Sequence, residues 1–68
     1  MKGEIVEILG ENTVRVVFKQ DSIQIRKTMV VLESESTFRD KDRLIGMLVL
    51  FELDNKDYYG RIICNLIK

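Results

Sequence analysis

The segment TVRVVFK, residues 13–19, sets Val14, Val16 and Phe18 in alternation against Arg15, Val17 and Lys19. A period of two is the signature of a β-strand with one face in a core and one in water. Upstream, Glu4 to Leu9 is rich in β-branched and apolar residues and stops at Gly10-Glu11-Asn12. Gly10 and Asn12 both tolerate left-handed backbone, so the two segments read as a hairpin around a three-residue loop. Downstream, Gln20-Asp21-Ser22 is a second turn, leading into a strand over Ile23 to Leu32. There Ile23, Ile25, Met29 and Val31 share one parity, and Gln24, Arg26 and Thr28 share the other. Lys27 falls on the apolar parity, which signals a bulge or change of face nearby. The first half of the chain therefore reads as a three-stranded meander.

Glu33 to Arg43, ESESTFRDKDR, is polar and reads as a long loop with Phe38 folded back as an anchor. The competing reading is a short helix capped by Ser36 or Thr37, with Phe38, Asp42 and Ile45 along one side. Leu44 to Leu53 follows as a strand, Asp54-Asn55-Lys56-Asp57 as a turn, and Tyr58 to Ile67 as the last strand. Five short strands in 68 residues imply one all-β domain, a small five-stranded antiparallel barrel. The short early connections favour an SH3-like barrel; the long middle segment keeps an OB-like one as the alternative.

Composition narrows the function. Eleven basic and eleven acidic residues give zero net charge, which argues against a general nucleic-acid coat. Glu4 and Glu7 interrupt the apolar run that a secretory signal needs, and no apolar run approaches membrane-spanning length. The lone Cys64 suits a reducing compartment, so a cytoplasmic protein with no membrane association is expected.

Histidine is absent, which removes the Ser-His and Cys-His nucleophile pairs. Cys64 shares parity with Ile62 and Leu66 and reads as a small buried hydrophobe. Asp40, Asp42, Asp54 and Asp57 lack the graded spacing of a calcium loop. No glycine-rich phosphate loop surrounds Gly10 or Gly46. These observations point away from an enzyme, a cofactor, a metal and a small-molecule substrate, and toward binding.

Two surfaces are candidates. Between Thr13 and Lys27 four basic residues against Asp21 give a local charge of +3. Pairing the second and third strands places Arg15, Lys19, Gln24 and Arg26 on one face, with Lys27 at its margin. Such a patch suits an anionic partner, nucleic acid included, although the stretch offers no exposed aromatic on which a base stacks. Only Tyr58 and Tyr59 are available for that, and alternation sends one of them inward.

The second candidate is apolar. The fourth strand has Ile45, Met47, Val49, Phe51 and Leu53 on one parity, yet Leu48 and Leu50 on the other. The last strand opposes Tyr58, Ile62, Cys64 and Leu66 to Tyr59, Ile63 and Ile67, and Val30 and Leu32 add to the second face. One small barrel has one interior, so either the strands bend and use both parities inside it, or a second subunit or another protein covers the outward face. The leading expectation is a non-catalytic protein-interaction or adaptor module that self-associates through Leu48, Leu50, Tyr59, Ile63 and Ile67. Arg15, Lys19, Arg26 and Arg61 would add electrostatic selection. The alternative is a small nucleic-acid-binding regulator using Arg15, Lys19, Arg26 and Lys27.

Overall fold

A computed structural model describes residues 1–32 and 41–67. These residues form five strands and one helical turn: β1 (Lys2–Gly10), β2 (Thr13–Gln20), β3 (Ile23–Val31), α1 (Lys41–Leu44), β4 (Leu48–Lys56) and β5 (Ile62–Leu66). The strands close into a barrel in the order β1-β2-β3-β5-β4, with β1 completing the circle against β4. The all-β small barrel expected from the alternation is the fold observed.

The meander is built as its turns dictate. Gln20 pairs with Ile23 across Asp21 and Ser22, both at positive φ (52° and 68°). Positive φ at both central residues is the tight hairpin geometry whose twist matches that of the flanking strands. At the other hairpin, Gly10 pairs with Thr13, and Asn12 alone turns left-handed at φ 55°. Asn12 also ties this turn to the end of β3. Its Nδ2 donates to the Val31 carbonyl at 2.9 Å, and the Val31 N–H donates to its carbonyl at 2.8 Å.

The second half of the chain departs from the expected pattern. β5 lies between β3 and β4, antiparallel to β4 but parallel to β3, with Met29 opposite Ile62 and Val31 opposite Cys64. The barrel is thus not antiparallel throughout. A parallel pair needs a crossover, and the chain between β3 and β5 supplies it by passing through α1 and β4.

Strand boundaries also move. The fourth strand begins at Leu48, because residues 41–44 make the helical turn and Gly46 adopts φ 90°. Leu44 from α1 is fully buried among the core side chains, whereas Ile45, expected inside, is half exposed. The Phe38 anchor and the Ser36 or Thr37 cap lie outside the described residues.

The core gathers Ile5, Val14, Val16, Phe18, Met29, Val31, Leu44, Val49, Phe51, Ile62, Cys64 and Leu66. Phe18 and Phe51 meet edge-to-face, with ring centroids 4.8 Å apart. β1 serves two neighbours, pairing through Glu4 to Gly10 with β2 and through Lys2 to Glu4 with β4. Irregularities between Ile5 and Glu7, and again between Ile8 and Gly10, let it bend to do so.

The bend brings Gly3 against the core. A Cβ there would stand 2.4 Å from Val16 Cγ1, 3.1 Å from the Val17 carbonyl oxygen and 3.2 Å from Phe51 Cε1. Gly3→Ala therefore destabilises the barrel by about 1–3 kcal/mol in urea unfolding through overpacking. Gly10→Ala has open space around its new methyl and changes stability by no more than about 0.5 kcal/mol. Equal midpoints for the two variants would contradict the close approach at Gly3.

Candidate functional site

The hairpin face is assembled as the alternation implied. Arg15 pairs with Thr28, Val17 with Arg26 and Lys19 with Gln24, so Arg15, Lys19, Gln24 and Arg26 share the outward parity. Its charge is not uniform, however. Glu7 from β1 forms an ion pair with Arg15, and Glu4 lines the same shallow 290 Å³ depression as Lys19, Gln24 and Arg26. β1 runs alongside β2 and carries these carboxylates onto the face, an effect invisible when residues 13–27 are counted alone. An exposed pair such as Glu7–Arg15 contributes at most about 1 kcal/mol to stability. Its consequence here is to offset the charge of Arg15 on this face.

Lys27 does not join that face. It lies opposite Val16, on the parity of the core, with no shift in the β2–β3 register. It is nonetheless exposed, because the β3–β5 pairing begins only at Met29 and leaves the wall beside Lys27 open. The bulge expected there is absent, and the opening provides an exit for the side chain instead.

The apolar face forms from four of the five residues expected to build it. Leu48 and Leu50 leave β4 outward, each 47% exposed. Beside them, Leu50 faces Asn65 on β5, and the Ile67 N–H donates to the Leu48 carbonyl at 2.9 Å. Ile63 stands opposite Val30 on β3, and Leu32 continues that line beyond the end of the strand. Leu48, Leu50, Ile63 and Ile67 thus occupy neighbouring outward positions, joined by Val30 and Leu32.

Tyr59 is elsewhere. The last strand starts at Ile62, so Tyr58 and Tyr59 belong to the β4–β5 turn. Neither points inward: they are 96% and 78% exposed. Asp57 holds this turn. Its Oδ1 accepts the N–H groups of Tyr59 at 3.0 Å and Arg61 at 2.8 Å, and its Oδ2 accepts Arg61 Nε at 2.9 Å. Its own N–H donates to the Arg61 carbonyl at 2.8 Å, and Gly60 takes φ 82°.

The two tyrosine rings stand perpendicular with centroids 5.4 Å apart, and the Arg61 guanidinium lies 5.3 Å from the centre of the Tyr59 ring. Gly60 and Arg61 of the same turn line, with Lys27, Thr28, Lys56 and Ile62, a cleft of about 270 Å³. The signal for this turn was present in the sequence. An aspartate two residues before a ring and three before a glycine is an Asx-turn pattern that breaks a strand.

Cys64 lies in the barrel wall with its side chain in the core, and burial pushes its thiol up to about 11. It stays protonated at neutral pH and packs as a hydrophobe. Of the carboxylates weighed for a cation, Asp57 is engaged with Arg61, and Asp40 lies outside the described residues. Among the described residues no helix is long and apolar enough to cross a membrane. The chain matches no family model, no curated protein and no solved structure, so its surfaces carry the functional argument.

The Asp57 clasp responds to acid. Desolvation raises the carboxyl, but the Arg61 N–H, its guanidinium and the Tyr59 N–H outweigh it and hold Asp57 below its ordinary 3.8. The turn's contribution to stability is therefore full above that ordinary value and is lost as pH falls through the lower folded value. An NMR titration should show the Tyr59 and Arg61 amides shifting together with a midpoint below 3.8. A midpoint at or above that value would mean that the clasp does not hold in solution.

Proposed function

We propose that this chain is a non-catalytic interaction module that self-associates through the outer face of β3, β5 and β4. The observation carrying this reading is the convergence of Leu48, Leu50, Ile63 and Ile67, with Val30 and Leu32, on neighbouring outward positions. Their inward counterparts Val49, Phe51, Ile62 and Cys64 already fill the barrel, so the outward set has no interior left to enter. A second copy presenting the same face in a two-fold contact covers it without any further element. Burying one half-exposed leucine contributes about 1 kcal/mol, and the two-fold axis doubles each such term. For a chain this short, association also supplies burial that a single core lacks.

We read the barrel as OB-like rather than SH3-like. Support for this comes from the order β1-β2-β3-β5-β4, the parallel β3–β5 pair and the helical turn that precedes β4. A cytoplasmic setting suits the single buried thiol. The adaptor role follows from the two remaining outer surfaces, the mixed-charge hairpin face and the β4–β5 turn, which stay open when the apolar face is covered.

Sedimentation equilibrium at micromolar concentration tests the association. The unmodified chain should run as a dimer, and Leu50→Asp, at a position outside the core, should shift it to monomer while keeping its β-sheet circular dichroism. A monomer at every concentration, with Leu50→Asp indistinguishable from it, would refute the reading.

A further inference from the structure

We propose that the β4–β5 turn and the middle of β3 form a binding site for single-stranded nucleic acid, separate from the self-association face. Three features converge there. Tyr58 and Tyr59 hold their rings in solvent, where burial of neither ring contributes to the core. Asp57 fixes the turn through three hydrogen bonds to Tyr59 and Arg61, so the rings are displayed on a constrained backbone. Lys27 and Lys56 line the adjoining cleft, and among the described residues neither has an ion-pair partner.

Each feature answers one part of a single strand's chemistry. An unstacked base presents a flat π-face that stacks on an exposed aromatic ring, with little dependence on its identity. The phosphates that follow it need cations close by, and Lys27 and Lys56 line the cleft shared with Arg61, whose guanidinium lies at the Tyr59 ring. Arg61 is already tied to Asp57 and lies at the Tyr59 ring, so its part is to brace that ring rather than to add a free charge.

A duplex keeps its bases stacked and withholds their faces. An acidic protein segment would use the lysines but has no planar faces for the rings. The barrel topology alone carries none of this, since one fold hosts many unrelated activities. Zero net charge makes the site weaker and more selective for position than a basic coat. Its affinity rests on the two rings and two lysines.

The chain contains two tyrosines and no tryptophan, so its intrinsic fluorescence arises at this site alone. Titration with an oligothymidylate of about twelve nucleotides should quench that emission saturably at low salt. Two phosphate contacts give a salt slope of about −1.4, so affinity should fall roughly 25-fold between about 20 and 200 mM salt. Followed by anisotropy of a labelled strand, Lys27→Glu/Lys56→Glu and Tyr58→Ala/Tyr59→Ala should each weaken binding by about tenfold or more. Unchanged thermal melts of these surface variants would show that the site, and not the barrel, was lost.

Three outcomes would overturn the proposal. They are no quenching at low salt, a duplex that binds as tightly as the strand, and polyglutamate that displaces the strand equally well. The last would reassign the site to an acidic protein. The oligomeric state of Leu50→Asp bears on none of these outcomes, so the two proposals stand or fall separately.

Discussion

Closure of the barrel depends on one placement, that of β5 between β3 and β4. A short five-stranded sheet left open would expose two unpaired edges and the apolar face that now lies inside. With β5 inserted, Ile62, Cys64 and Leu66 enter a core already lined by Met29, Val31, Val49 and Phe51. The backbone of β5 is bonded on both sides, parallel to β3 and antiparallel to β4. β1 completes the circle by bending at its irregular positions and pressing Gly3 against Val16 and Phe51. A side chain there would have to displace Val16.

The same placement arranges the outside. Because β4 and β5 are neighbours, their outward apolar residues become neighbours too. Because β5 lies beside β3, Val30 joins them opposite Ile63. The short overlap of β3 with β5 has the opposite effect lower down. Pairing starts at Met29, so Lys27 escapes through the open wall beneath the turn that carries Tyr58 and Tyr59. An apolar face and a cationic cleft thus border the same strand at different heights.

Much of this was legible in the residues and some could not be. Alternation placed Val14, Val16 and Phe18 inside and Leu48, Leu50 and Ile63 outside, because parity is a local property of a strand. It also located both hairpin turns of the first half. Pairing between β3 and β5 is non-local, and a strand alternates in the same way whether its neighbour runs parallel or antiparallel. Nothing in the residues of β5 alone announces its place. Extending the last strand back to Tyr58 assigned the tyrosines by parity, where the Asp57 hydrogen bonds in fact end the pattern. The hairpin face carries mixed charge for a related reason. Arg15 and Arg26 are outward as expected, but Glu7 pairs with Arg15 and Glu4 lines the same depression as Arg26, both from a strand not counted with them.

The placement of β5 is tested most directly by backbone NOEs in a deuterated sample. The account predicts cross-strand contacts linking Val30 to Ile63 and, in the same spectrum, Phe51 to Cys64, with slow amide exchange through Ile62–Leu66 on both edges. Contacts from β5 to β4 alone, with rapid exchange of the amides that face β3, would contradict it. The barrel would then be open at that wall, and neither outer surface would be formed as described.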